Sequence, residues 1–68
     1  MMTLSEASAA LNAAFNAKQI HANFALVPVQ DGRFDVVIRI GTQDTQRAVK
    51  LAEQILGAQF NSWRMSRP

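Results

Sequence analysis

Two apolar runs, ANFALVPV and FDVVIRIG, flank the tetrapeptide QDGR between Ala22 and Gly41. Both are rich in Val, Ile and Phe, as strands are. The Asp31-Gly32 pair between them is favoured in two-residue hairpin turns. With that turn, Gln30 pairs with Arg33. The ladder then runs Val29–Phe34, Pro28–Asp35, Val27–Val36, Leu26–Val37, Ala25–Ile38, Phe24–Arg39 and Asn23–Ile40. Successive pairs point to opposite faces of a sheet. One face therefore holds Ala25, Val27 and Val29 with Phe34, Val36, Ile38 and Ile40, and is the expected core face. The other holds Phe24, Leu26 and Pro28 with Asp35, Val37 and Arg39. That mixed surface brings Phe24 opposite Arg39, within reach of a cation–π contact.

The period changes on either side of the hairpin. Thr3-Leu4-Ser5-Glu6 has the capping-box form, a hydroxyl at the N-cap with a carboxylate three residues on. It predicts a helix to about Lys18, with Leu4, Ala7, Leu11, Ala14 and Phe15 along one stripe. Ala9, Ala10, Ala13 and Ala17 occupy its remaining surface. Ala is the best helix former, and small residues also admit a close neighbour. After Gly41 the spacing of Thr45, Ala48, Val49, Ala52, Ile55 and Leu56 predicts a second amphipathic helix, with Leu51 at its border. Thr42 is its expected N-cap and Gly57 its C-terminal stop.

The tail, Ala58 to Arg67, contains FNSWRM and reads as a third strand. If Phe60 faces the core, regular alternation sends Trp63 and Met65 to the mixed face with Phe24, Leu26 and Val37. A bulge near Asn61-Ser62 would reverse this and bury Trp63. The order is α-β-β-α-β, an α+β domain spanning residues 1–68, with both helices on one face of a three-stranded sheet. The preferred strand order is 2-1-3, with the first strand in the middle and all neighbours antiparallel. The alternative sets the third strand parallel beside the second. Pro28 argues against a central first strand, because it cannot donate to a ladder.

Composition narrows the class. Of 68 residues, 49% are hydrophobic and 18% charged, with no Cys and a single His. This is a globular composition with few charges, below the usual figure of about 25%. A chain of this length buries only about 60% of its unfolded surface. Without disulfides it lacks the usual staple of small domains, which favours association. The start has neither a basic n-region nor a continuous apolar h-region. No run approaches the roughly 18 apolar residues of a membrane span. A cytoplasmic protein that does not enter the membrane is expected.

Candidate chemistry is sparse. No nucleophile motif surrounds the serines, and His21 has no partner in the sequence with which to build a triad. The carboxylates Glu6, Asp31, Asp35, Asp44 and Glu53 are scattered. No metal-ligand spacing is present, and no cofactor is expected. Gly41-Thr42 before a helix offers backbone N–H groups to a phosphate, but the glycines of a phosphate-binding loop are missing. The net charge of +2 gives a weak nucleic-acid signal. Arg39, Arg64 and Arg67 with the aromatics Phe24 and Trp63 would form the basic-aromatic face of such a module. A protein-binding surface of Phe24, Leu26, Val37, Arg39, Trp63 and Met65 explains more, since aromatics, Met and Arg are enriched at interfaces. The expectation is a non-catalytic interaction module, an adaptor or inhibitor occupying a partner protein's surface as a homodimer. Nucleic-acid binding is the alternative.

Overall fold

The Thr3 hydroxyl begins the first helix as its sequence requires. The Glu6 N–H donates to Thr3 Oγ1 at 3.2 Å, and the Thr3 N–H donates to the Glu6 carboxylate at 2.8 Å. This reciprocal capping box holds the Glu6 carboxyl below its ordinary pKa, chiefly through the Thr3 backbone donor. Helix α1 spans Leu4–Ala17 and buries Ala7, Leu11 and Phe15. Leu4, expected on that stripe, is exposed; it lies in the first turn, at the end of the helix. The C-terminal end is a Schellman arrangement: Ile20 N–H donates to the Phe15 carbonyl and Gln19 N–H to the Asn16 carbonyl. Gln19 takes the left-handed φ of 57° that this motif demands, and Ile20 is thereby delivered into the core.

The computed structural model describes residues 1–39 and 44–66. Strands β1 (Phe24–Pro28), β2 (Phe34–Arg39) and β3 (Phe60–Ser66) form one mixed sheet, with helix α2 (Thr45–Leu56) between β2 and β3. The order α-β-β-α-β is therefore that of the α+β domain predicted from the pattern. The N-cap of α2 is Asp44 and not the expected Thr42. Ile40 as a core residue and Gly41-Thr42 as an anion cradle lie outside the described residues, as does Arg67. Helix α2 buries Ala48, Val49, Ala52 and Leu56, and Gly57 ends it with a φ of 57°. These side chains meet Ala7, Leu11 and Phe15 of α1 and Phe34, Val36 and Ile38 of β2 in one core, on one side of the sheet.

Two expectations are corrected. The first is the hairpin register. Asp31 and Gly32 have φ of 63° and 71°, the pair of positive values that an Asp-Gly turn supplies. However, Val29 N–H donates to the Arg33 carbonyl at 2.9 Å, while Arg33 N–H donates to the Gln30 carbonyl at 3.3 Å. Gln30 thus belongs to the loop and not to the ladder. The loop has three residues, Gln30–Gly32, and the pairing shifts by one: Phe24 meets Ile38, Ala25 Val37, Leu26 Val36, Val27 Asp35 and Pro28 Phe34. A one-residue slip turns a strand over. Phe24 and Leu26 point to the helices and pack against the core, whereas Ala25 and Val27 are exposed on the open face. Phe24 packs edge-on to Phe15, with ring centres 5.3 Å apart at 83°, and not against Arg39.

The second correction is the strand order, which is β1-β2-β3. The strand β2, not β1, is central, and β3 lies parallel to it. The crossover through α2 brings the chain back in the same direction, as parallel neighbours require. Pro28 leaves β1 at the edge, where its missing N–H costs nothing.

The register makes a direct prediction. Leu26→Ala should cost about 1–2 kcal/mol of unfolding free energy, as truncation of a half-buried aliphatic does. Val27→Ala should stay within about 0.5 kcal/mol, as at other exposed sites. Urea denaturation measures both, and the reverse ranking would restore the two-residue turn.

Candidate functional site

The two edges of the sheet differ. The strand β1 has five residues and ends at Pro28. The strand β3 has seven, Phe60–Ser66, with no proline and one charged residue, Arg64. Its only strand neighbour among the described residues is β2. Proline, charge and shortness blunt an edge against pairing with other chains. The β1 edge has two of these devices and β3 has little beyond a bulge near its start.

That bulge is held by Asp35. Phe34 lies beside Phe60 and Asp35 beside Ser62, so Asn61 is the extra residue. Asn61 Nδ2 donates to Asp35 Oδ1 at 2.7 Å, Ser62 Oγ to the same oxygen at 2.8 Å, and Arg64 to Oδ2 at 3.1 Å. The Asn61 amide and the Ser62 hydroxyl, with a smaller contribution from Arg64, hold the Asp35 carboxyl below the usual carboxylate range. A carboxylate stabilised in this way is a weak base, and its chemistry is to fasten β3 to β2. The sequence marked Asn61-Ser62 as the place for a bulge, but not their side chains as partners of Asp35. The available signal was Pro28: an edge position for β1 makes β2 central and sets β3 beside Asp35.

After the bulge the alternation is that of the reversed reading. Trp63 lies beside Val36 and Met65 beside Ile38, both of them core-facing positions. Trp63 and Met65 therefore project on the helix side, at the outer margin of the sheet, and remain 42% and 43% exposed. Phe60, before the bulge, packs against the core. Among the described residues β3 thus forms an outer strand of the sheet, its margin flanked by two large apolar side chains.

The six residues expected to form one binding face do not share one. Phe24 and Leu26 are half-buried beneath the helices, Val37 and Arg39 lie on the open face, and Trp63 and Met65 line the β3 margin. The hairpin register and the bulge each reverse one strand, and together they divide the set. The basic-aromatic surface is divided in the same way. Arg39 and Arg64 occupy the open face, where Arg64 pairs with Asp35, while Phe24 and Trp63 point to the other side.

A second polar feature is structural. The buried Gln59 amide accepts from Met2 N–H at 2.9 Å and donates to the Met2 carbonyl at 3.0 Å and the Gly32 carbonyl at 2.8 Å. It fastens the chain before α1 and the hairpin loop to the start of β3. His21 is exposed beside an open depression of about 390 Å³ lined by Asn12, Asn16 and Asn23. No carboxylate joins that lining. Among the described residues, no group of three His, Cys, Asp or Glu is placed to hold a metal ion, and no helix is long and apolar enough to cross a membrane.

Comparison with protein-family models, with curated proteins and with solved structures finds no match for this chain.

Two substitutions test the fastening. Asp35→Asn should destabilise the fold at neutral pH. The folded pKa of Asp35 lies below its unfolded value, so its contribution is complete above about pH 4 and is lost as the pH falls through the folded pKa. The gap between wild type and Asp35→Asn should therefore narrow in acid; a constant gap would show that ionisation is irrelevant. Gln59→Leu leaves the Met2 and Gly32 backbone groups without their partner and should cost about 1–3 kcal/mol. Thermal melts followed by circular dichroism report it.

Proposed function

We propose that this chain is a non-catalytic protein-interaction module that works through the β3 edge. Its action is that of an adaptor or inhibitor occupying a partner protein's surface. The observation that carries the reading is the seven-residue strand β3, whose one strand neighbour among the described residues is β2, with Trp63 and Met65 exposed at its margin. A free edge supplies a row of main-chain donors and acceptors, and adjoining apolar side chains supply specificity; this is strand addition. Trp63 is the anchor and Met65 its adaptable neighbour. Asp35 supports them by fixing β3 to the central strand, so the edge is ordered before a partner arrives. A cysteine-free chain suits the reducing cytoplasm. The nucleic-acid alternative lacks its stacking platform, because Arg39 and Arg64 have no aromatic beside them on the open face.

Affinity capture from the native host tests the reading, with the wild-type chain and the variants Trp63→Asp and Met65→Asp compared side by side. Proteins retained by the wild type should be lost from both variants, while the circular dichroism of all three chains agrees. Unchanged retention by correctly folded variants would remove the β3 edge from consideration.

A further inference from the structure

We propose that the groove between the C-terminal end of α1 and helix α2 takes an acidic peptide segment of a partner protein, with one aliphatic side chain of that segment seated in it. The site is separate from β3 and goes beyond the reading of that strand.

Side chains at i, i+3, i+4 and i+7 fall along one stripe of a helix. Arg47, Lys50, Leu51 and Gln54 have that spacing on α2, and Lys18 and Ile20 join them from the turn after α1. The six line an open groove of about 210 Å³. Its floor is aliphatic and pre-formed. The Schellman turn holds Ile20 in the core, and Leu51 packs against that core from α2. Its rim is cationic. Three of the chain's seven Lys and Arg residues line the groove, and none of its five Asp and Glu residues does.

These charges are not neutralised within the fold. Among the described residues, neither Lys18 nor Lys50 has an acidic partner. Arg47 Nη1 stands 3.7 Å from the Asp44 carboxylate, too far for a hydrogen bond, and their side chains are 61% and 43% exposed, so the pair is weak. Arg47 also lies in the first turn of α2, where the helix dipole disfavours a cation; helix stability does not account for it. The end of α1, whose carbonyls would repel an anion, is muted by the Lys18, Gln19 and Ile20 amides that donate to them. Volume and chemistry then select the occupant. The groove is smaller than the roughly 300–1,000 Å³ of pockets that enclose a small-molecule ligand. No aromatic side chain lines it, so it lacks the stacking platform on which single-stranded nucleic acids are held. Cations around an aliphatic floor complement a peptide whose carboxylates flank one aliphatic residue.

The test is an NMR titration of the full chain, at low salt, with an end-blocked peptide of acidic residues around a central leucine. Backbone amide shifts should gather at Lys18, Ile20, Arg47, Lys50 and Leu51, and affinity should fall as salt is raised. The same peptide with side-chain amides in place of carboxylates should not bind. Alanine in place of its leucine should weaken binding by about fivefold or more, as loss of buried aliphatic surface does. Arg47→Gln and Lys50→Gln, both at exposed positions, should each weaken it about two- to fivefold, the worth of one exposed ion pair. Arg39→Gln, on the open face of the sheet, should bind as the wild type does, and circular dichroism should agree for all of these chains. Absence of groove shifts at millimolar peptide, equal binding of the amide peptide, or equal loss in Arg39→Gln would overturn the proposal. Binding to phosphatidylglycerol vesicles or to single-stranded DNA that is tighter than to the peptide, and that is lost in Arg47→Gln and Lys50→Gln, would overturn the peptide segment as occupant.

Discussion

The hydrogen bond from the Val29 N–H to the Arg33 carbonyl closes the hairpin one residue earlier than an Asp-Gly turn would by itself. Everything on β1 follows from it. With Gln30 outside the ladder, Phe24 and Leu26 enter the space beneath α1, and Phe24 meets the Phe15 ring edge-on. With Gln30 inside, the smaller Ala25 and Val27 would occupy those positions and two large side chains would face solvent. Both registers give an apolar stripe. The difference in buried volume favours the one observed, because a packed interior is sensitive to single methylene groups. The backbone cost is a left-handed Asp31, which Asp tolerates better than most residues.

The opposite side of the sheet is ordered by polar contacts instead of volume. Asp35 sits on the central strand and collects three donors from the neighbouring strand. The bulge at Asn61 is what allows the donors to reach it, and the same bulge swings Trp63 and Met65 to the helix side. A single local irregularity thus both fastens β3 and determines what its outer margin displays. The interaction surface proposed for β3 depends on that carboxylate, although Asp35 itself lies on the other face.

The elements were legible in the sequence because their signals are local. The capping box at Thr3 and Glu6, the 3.6-residue spacing from Ala48 to Leu56 and the alternation of Phe34, Val36 and Ile38 each depend on a few adjacent residues. Register and strand order were not legible, because each is decided by a comparison between whole arrangements. A loop of two or three residues around Asp31-Gly32 satisfies the same turn chemistry, and only packing against Phe15 distinguishes them. The order β1-β2-β3 had a local hint in Pro28, outweighed by a preference for an all-antiparallel sheet. The reading that allowed a bulge gave the side of the sheet that Trp63 takes, but it also expected Trp63 to be buried, and Trp63 is exposed at the β3 margin. The Asp35 cluster requires both the parallel pairing and the bulge, so no pattern along the chain announces it.

Gln59 joins segments that are far apart along the chain: its partners Met2 and Gly32 are 57 and 27 positions away. Contacts of such separation repay their loop-closure entropy late in folding. The three bonds can exist only when the residues before α1, the hairpin loop and the start of β3 have all arrived. The Met2 amide proton, donated to the Gln59 side chain, is therefore tied to the assembly of the whole domain and not to any one element. Its exchange with solvent deuterium reports the opening of that junction, at a position where chain ends ordinarily fray. An amide so near the end of a chain that is protected as long as the core is protected would mark this small fold as one cooperative unit from its first residues to its last strand.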